Sequence, residues 1–365
     1  MEISDKYTFI CENDVNNVKK VLETKKFSGT SDIIVEYEEK LGKFFGSSYS
    51  LAISSGTAAI QTALFVLGVG YGDEVIVPST CPSMSVFPII FAGAKPIFCD
   101  TVEDNLGLDI EEIEKCITRK TKAVMEVPMW GYPTNVKKLR EYTKSKNIPL
   151  ILDLAQAHGT KLDGKYLSSY GDISCFSTHD RKIIATGEGG FMLTENEEYF
   201  NKAKNFIQFG NMNGIDFGLN YKLGALQAAL GISRIDFVEK QLIKRRENAN
   251  YITSSLLDEF VQELKVVEGG QPNYYSLLLK LNFNNNLDMV KLLESHGIPS
   301  DIVRYNYKVL YEYPAFERYK RSCPNSEKMV KNITTIPVHP ALTKKELDYI
   351  VETINNLSQT YAKKQ

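Results

Sequence analysis

One lysine, Lys182, lies in a polar, glycine-rich stretch between two apolar runs. Residues 173–176 precede it and residues 191–193 follow it. The pattern predicts two short strands joined by a loop that carries the lysine. Where a buried sheet removes water from an ammonium group, the pKa of the lysine falls and its neutral amine can attack an aldehyde. A solvated lysine in a hairpin loop is the ordinary alternative, so the chemistry depends on what else the chain supplies.

Three further features are predicted at strand ends. Residues 54–59 (SSGTAA) join a strand to a helix, where small residues and free backbone amides can bind a phosphate. Asp153 ends the apolar run 149–153 and could face a protonated ring nitrogen, and the hydroxyl of Ser177 could donate to the same phosphate. Singly, each also suits an ordinary role as a helix N-cap, a loop carboxylate or a strand-end serine. Together with Lys182 they address a phosphate, a ring nitrogen and an aldehyde, the three handles of pyridoxal 5'-phosphate (PLP).

The elements that must position these residues alternate along the first two-thirds of the chain. Solid apolar runs, such as residues 74–77 and 123–127, are separated by helical patterns, such as residues 83–91 and 135–146. This order predicts an α/β fold with a mostly parallel sheet flanked by helices, which binds ligands at the carboxyl ends of its strands. A long, increasingly charged helix is expected over residues 221–250 as a connector. Strands over 261–267 and 274–282 and helices over 287–296 and 344–357 then predict a smaller α+β domain. We therefore expect a large domain of residues 1–239 and a small C-terminal domain of residues 240–365.

Composition excludes several classes of function. The 365 residues are 43% hydrophobic and 24% charged, with a formal net charge of −2, so the chain as a whole favours neither nucleic acid nor an anionic membrane surface. We expect no membrane span and no signal peptide, and hence a cytoplasmic location. The six cysteines are scattered without a CxxC pair, and no two of the four histidines stand at ligand spacing, so no metal site is predicted.

These motifs resemble those of the DegT/DnrJ/EryC1/StrS group of PLP-dependent sugar aminotransferases, which have the PLP-dependent transferase fold type I. The resemblance covers nearly the whole chain. The matching stretches are residues 54–59 (SSGTAA), 72–78 (GDEVIVP), 93–100 (GAKPIFCD), 153–159 (DLAQAHG), Phe176-Ser177 with Lys182, 187–190 (GEGG), 220–223 (NYKL) and 336–340 (IPVHP).

The resemblance implies a role for each of several residues. Lys182 would form the Schiff base with PLP and act as the general acid and base, and Asp153 would pair with the pyridine nitrogen. Gln156 would hydrogen-bond the 3′ oxygen of the cofactor. Asn220 would reach the cofactor phosphate of a neighbouring subunit, which implies a homodimer with composite sites. The phosphate of the subunit's own cofactor would be held by Gly56, Thr57 and Ser177.

The implied activity is a transamination in two halves. An amino acid, L-glutamate by resemblance, leaves its amino group on the cofactor as pyridoxamine phosphate, and a keto sugar then takes it. The acceptor would be a nucleotide-linked keto-deoxy sugar of glycan, O-antigen or secondary-metabolite biosynthesis. Residues Tyr305, Tyr307 and Lys308 match a region near the sugar site in the family, although they also suit a solvated surface. Residues 27–29 border the cleft in relatives.

The chain departs from the family pattern at three positions. Pro82 stands where an aromatic residue usually stacks on the ring, Pro128 where a histidine is frequent, and Lys222 where an arginine follows Asn-Tyr. Lys222 keeps the charge of arginine but lacks its bidentate fork. Because the four cofactor positions are intact, the three changes favour an unusual acceptor over lost chemistry.

Three alternatives remain at the level of the sequence. A dehydratase branch of the family carries histidine at the lysine position; Lys182 argues against it, and His179 suits a polar loop histidine. The second is an aminotransferase acting on a cyclitol or another cyclic ketone, since a fold does not set its substrate. The third is a non-catalytic PLP-binding regulatory module, which a lost lysine or aspartate would have supported.

Overall fold

The structure is a computed structural model that describes residues 1–257 and 259–362. Its strands are β1 (Tyr49–Ile53), β2 (Glu74–Pro78), β3 (Lys95–Cys99), β4 (Thr121–Glu126), β5 (Leu150–Asp153), β6 (Lys161–Leu162), β7 (Lys165–Tyr166), β8 (Ile173–Ser177), β9 (Gly190–Thr194), β10 (Val261–Glu263), β11 (Gly270–Gln271), β12 (Leu277–Leu281) and β13 (Ile333–Ile336). Its α-helices are α1 (Glu12–Thr24), α2 (Asp32–Phe45), α3 (Gly56–Val66), α4 (Ser83–Phe91), α5 (Ile110–Cys116), α6 (Val136–Ser145), α7 (Glu197–Phe206), α8 (Ala225–Asp236), α9 (Val238–Ser254), α10 (Asn286–Ser295), α11 (Asp301–Arg304), α12 (Pro324–Lys331) and α13 (Lys344–Ala362).

A seven-stranded sheet in the order β1-β9-β8-β5-β4-β2-β3 forms the centre of the molecule. Strand β9 is antiparallel to both of its neighbours, and the other six strands run in one direction. Both faces are buried, since Ile151 packs in one apolar core while Leu150 and Leu152 pack in the other. Helices α3 and α4 contribute to the first core, and α2, α6 and α8 to the second. The predicted α/β class is confirmed.

The direction of the strands brings several predicted site residues to one edge. Asp153 ends β5, Ser177 ends β8, and Ile53 ends β1 directly before the 54–59 segment. Gly190 pairs with both Ile53 and Ser177, so the start of β9 lies between the ends of its two neighbours. The loop that carries Lys182 therefore emerges at the same edge as Asp153.

A second, antiparallel sheet in the order β10-β12-β13 lies in the C-terminal third, with α10 and α13 packed near it. The strands expected over 261–267 and 274–282 are present in shorter form as β10 and β12, which pair antiparallel. The N-terminal segment joins this region, because the N–H of Ile3 donates to the carbonyl of Gly297 at 2.8 Å. The division into residues 1–239 and 240–365 stays a prediction.

The single helix expected over residues 221–250 is wrong in two respects. It begins only at Ala225, because the preceding residues run beside β1, where the N–H of Ser54 donates to the carbonyl of Tyr221 at 2.8 Å. It is also divided at Phe237, whose N–H turns back to the carbonyl of Arg234 at 3.1 Å and ends α8 before α9 begins. The composition changes from apolar in α8 to charged in α9 at this turn. The helical spacing of buried residues continues across it, so periodicity does not predict the break.

Two properties bear on the classes of function considered above. Among the helices of the described residues, none combines the length and the apolar character needed to cross a bilayer. Over residues 1–257 and 259–362, no three His, Cys, Asp or Glu side chains are grouped so that they could hold a metal ion. The cytoplasmic location stays a prediction.

Candidate active site

A cavity of about 660 Å³ opens at the carboxyl edge of the large sheet. Six of the predicted site residues line it together: Gly56, Thr57, Asp153, Gln156, Ser177 and Lys182. They come from β5, β8, the start of α3 and the loops after β5 and β8. The structure therefore brings these side chains together, as the strand-end argument predicts.

Lys182 is held by a loop that continues the β8–β9 hairpin. The N–H of Thr178 donates to the carbonyl of Gly189, and that of Asp180 donates to Gly187, each at 2.8 Å. Gly187 has φ +87°, and Gly189 has φ +150° with no room for a Cβ, which would lie 2.4 Å from Thr178 Oγ1. Only glycine suits these positions, and they let the loop fold back so that Lys182 lies in the cavity.

The ammonium group of Lys182 lies 5.1 Å from the centroid of the Tyr275 ring. Burial lowers its pKa from 10.5 to about 8, although the carboxylates of Asp153 and Asp301 act in the opposite direction. An amine with this pKa is partly neutral near pH 7, so it can both attack a carbonyl and exchange protons.

Asp153 is 4% exposed and its carboxylate is fixed by two donors. The Ser85 hydroxyl donates to Oδ2 at 2.6 Å, and the Ala155 N–H donates to Oδ1 at 3.1 Å. Burial raises the pKa of Asp153, while these two hydrogen bonds and the charge of Lys182 lower it. Ser85 was not predicted from the sequence; the available signal was a serine between the apolar residues Met84 and Val86, and its full burial is seen only in the structure.

The segment before α3 forms a tight cradle. Ser55 is the N-cap, and its hydroxyl accepts from the N–H of Ala58 at 3.0 Å, so the ordinary capping role is present. A Cβ on Gly56 would lie only 2.7 Å from Ser177 Cβ. The first amides of the helix, which lack intrahelical partners, thus stand beside the hydroxyl-bearing end of β8. This is a site for an anion, because amides and the helix dipole both favour negative charge there.

Gln156 has its amide orientation set by the backbone. Its Oε1 accepts from the N–H of Trp130 at 2.6 Å, so its Nε2 is the end available as a donor. Its carbonyl accepts from Asn273 Nδ2 at 2.9 Å. Trp130 itself has φ +50°, a left-handed conformation that is rare for a bulky residue.

Asn220 does not join the other six residues within one chain. It is exposed, and its Oδ1 accepts from Lys222 Nζ at 2.7 Å. Residues 27–29 do not line the cavity, and the carbonyl of Phe27 accepts from the N–H of Ala225. Contact of Asn220 with a neighbouring subunit stays a prediction.

The acceptor-side candidates Tyr305, Tyr307 and Lys308 line the same cavity, and Tyr305 is also 55% exposed, so their contact with an acceptor stays a prediction. Pro82 and Pro128 line it too. The cavity also exposes Asp301, which the sequence argument did not single out as a site residue. Nothing in its local pattern distinguishes it from an ordinary residue at the start of a helix.

These features fit PLP. A reactive amine, a fixed buried carboxylate, an anion cradle that a Cβ would fill and an oriented amide donor address the aldehyde, the ring nitrogen, the phosphate and the ring oxygen in turn. Each of these protein groups is of a chemical type that can bind the part of PLP assigned to it.

Comparison with known proteins gives a consistent result. Residues 9–355 match the model of the DegT/DnrJ/EryC1/StrS aminotransferase family. The chain is 30% identical over 344 residues to GDP-perosamine synthase of Escherichia coli O157:H7, which covers 93% of each protein. It is 27% identical over 347 residues to dTDP-4-amino-4,6-dideoxy-D-glucose transaminase of Shigella dysenteriae, covering 92% of this chain and 93% of the relative. The fold is shared with the aminotransferase TlmJ from Streptoalloteichus hindustanus, with a TM-score of 0.91 at 21% identity over 99% of this chain and 100% of that one.

Proposed function

Because the chain belongs to the DegT/DnrJ/EryC1/StrS aminotransferase family, we propose that it transfers the amino group of L-glutamate to a nucleotide-linked keto-deoxy sugar. The family makes it a PLP-dependent aminotransferase, as the sequence motifs predicted. The observation that carries the proposal is the meeting of Lys182 and Asp153 in one cavity. The names of the two relatives, a GDP-sugar and a dTDP-sugar enzyme, support the acceptor class.

PLP would be held at four points. Lys182 would bind its aldehyde carbon, Asp153 its ring nitrogen and Gln156 its 3′ oxygen. The phosphate would lie in the cradle formed by Gly56, Thr57 and Ser177. When bound, PLP supplies an electron sink and a carbonyl that carries the amino group between the two substrates.

Lys182 is the residue that moves protons. With a pKa of about 8, its Nζ is partly neutral at physiological pH and can take the proton from the α-carbon of the donor amino acid. In the second half it delivers a proton to the sugar carbon that becomes the amine-bearing carbon. The same amine serves both directions, because its pKa lies close to the operating pH.

Asp153 must stay ionised to hold a protonated ring nitrogen. Burial works against this by raising its pKa, and the positive charge of Lys182 together with the Ser85 hydrogen bond works for it. The two donors also leave the carboxylate no freedom to rotate away from the cavity. We therefore assign Ser85 as a positioning residue for Asp153.

The active unit would be a homodimer. Asn220 lies outside the cavity of its own chain, and the segment before it exposes Met212, Ile215 and Phe217, of which Phe217 is 67% exposed. Exposed apolar side chains of this density are typical of an interaction surface. A second copy that covers them would bring Asn220 to the partner's phosphate cradle.

The experiment follows the visible absorbance that bound PLP should give the purified protein. L-Glutamate should remove this absorbance, and GDP-perosamine or dTDP-4-amino-4,6-dideoxy-D-glucose, used as donor in the reverse direction, should do the same. Lys182→Ala should lose the absorbance and the activity, whereas Lys240→Ala, which alters an exposed lysine of α9, should change neither. Absorbance that no amino compound alters would favour the non-catalytic binding module, and a response to amino cyclitols alone would favour the cyclitol alternative.

A further inference from the structure

We propose that Asp301 selects the acceptor by accepting a hydrogen bond from a hydroxyl group of the keto sugar, and that Trp130 positions it for this contact. The inference rests on the proposed function and deepens it. It concerns the part of the cavity wall that Asp301 and Trp130 form.

Asp301 begins α11 and turns its side chain into the cavity. Its backbone N–H donates to Thr335 Oγ1 at 2.8 Å, which fixes the start of the helix. Its Oδ2 accepts from Trp130 Nε1 at 3.0 Å, and the side chain is 18% exposed. Its negative charge raises the pKa of Lys182, so the two groups interact electrostatically.

The neighbouring arginines do not satisfy this carboxylate. Asp5 accepts hydrogen bonds from both Arg181 and Arg304. Arg304 Nη1 is consequently 3.8 Å from Asp301 Oδ1, beyond hydrogen-bonding distance. Within the part of the chain that the structure describes, the side chain accepts its one hydrogen bond from Trp130.

An ionised carboxylate has about four acceptor positions, so Asp301 retains acceptor capacity toward the cavity. A ligand group placed there must be a donor. Glutamate offers only its ammonium group, which must lie at Lys182, and its two carboxylates would be repelled. A keto sugar offers several hydroxyl donors. As a hydrogen-bond acceptor, Asp301 therefore suits the hydroxyl groups of the keto sugar and not the carboxylates of the amino acid.

Trp130 joins this wall to the cofactor side of the cavity. Its indole N–H holds Asp301, and its backbone N–H holds Gln156. The ring is 2% exposed and lies edge-on to Tyr307 with centroids 4.9 Å apart. Because both donors belong to one immobile residue, the separation between the two acceptors is fixed.

Asp301→Asn tests the contact without changing the shape of the cavity. The amide oxygen can still accept from Trp130, which leaves the NH₂ group facing the ligand and reverses the polarity of the wall. We expect the dissociation constant of GDP-perosamine or dTDP-4-amino-4,6-dideoxy-D-glucose to rise about 10- to 100-fold, the usual cost of losing a hydrogen bond to a charged group. The dissociation constant of glutamate should not rise, because Asp301 gives this substrate no hydrogen bond and repels its carboxylates. Affinities are compared because the lost charge also lowers the pKa of Lys182, which alters rates in both halves.

Two further variants separate this role from a structural one. Trp130→Phe removes the indole N–H and keeps the backbone N–H to Gln156, so sugar affinity should fall while the cofactor absorbance stays unchanged. Glu312 is an exposed carboxylate eleven residues after Asp301, and Glu312→Gln should leave every readout at the wild-type value. The inference is overturned if the wild type reacts with an amino sugar but Asp301→Asn weakens the binding of both substrates equally, or the binding of neither. A wild type that reacts with glutamate and with neither amino sugar would contradict the proposed acceptor class, and this inference with it.

Discussion

Lys182 should be far more reactive toward aldehydes than the other lysines of the same protein. Burial lowers its pKa from 10.5 to about 8. At pH 7.5 about a quarter of such an amine is neutral, against about one part in a thousand for an ordinary lysine. The nucleophilic form is thus more abundant by a factor of about 200. This factor follows from the position of the side chain and requires no bound cofactor.

Competitive labelling of the apoenzyme measures this directly. Trace formaldehyde with cyanoborohydride methylates neutral amines, and peptide mass spectrometry then reports the extent at each lysine as the pH is varied. Lys182 should show its midpoint near pH 8, while the exposed Lys240 in the same digest serves as the internal reference. A profile for Lys182 that parallels that of Lys240 would refute the reasoning.

The substitution Asp153→Asn tests the direction in which Asp153 shifts the pKa of Lys182. The carboxylate of Asp153 favours the ammonium form of Lys182 and so raises its pKa. Its removal should move the labelling midpoint to lower pH, and Glu312→Gln should leave the midpoint unchanged. A shift to higher pH would mean that the two groups do not interact as charges across the cavity.

Two other predictions concern the anion cradle and the subunit contact. Gly56→Ala places a Cβ 2.7 Å from Ser177 Cβ, so the dissociation constant of PLP in a fluorescence titration should rise about tenfold. The matched control is Gly70→Ala, whose Cβ meets nothing within 4 Å. Equal PLP affinities of the two variants would contradict a phosphate site at Gly56. Asn220→Asp should weaken PLP binding through the partner's phosphate, and subunit exchange with Lys182→Ala should restore up to about a quarter of wild-type activity, because half of the mixed dimers' sites are intact. A mixture that is no more active than its components would contradict the shared site.

The strand-end residues could be predicted because their positions follow from the direction of the chain. Asp153 and Ser177 each end an apolar run, and parallel strands that point the same way must bring such residues to one edge. The family, the α/β fold and the PLP cofactor are likewise confirmed. Each of these residues could be recognised from the sequence of its own strand, and the parallel arrangement of the strands then places them together.

The residues that orient the site could not be predicted in the same way. Ser85 reaches Asp153 across 68 positions of sequence, and Trp130 reaches Asp301 across 171. Neither pair leaves a periodic signal, because each contact depends on how a helix or loop packs over the sheet. Periodicity also failed at Phe237, where a tight turn divides an apolar helix from a charged one while the spacing of buried apolar residues continues.

Trp130 shows why these orienting contacts matter more than their sequence signal indicates. A bulky residue at φ +50° costs on the order of 1–3 kcal/mol, and such a conformation persists only where its surroundings hold it. The holding contacts are two hydrogen bonds, one to Gln156 on the cofactor side and one to Asp301 on the acceptor side. A relaxed, right-handed Trp130 would redirect its backbone N–H and its indole together, and both acceptors would lose their orientation at once. Under the role proposed for Asp301, the strain lies at a residue that contacts both sides of the cavity, and its rigidity would keep the cofactor and the acceptor at a fixed separation.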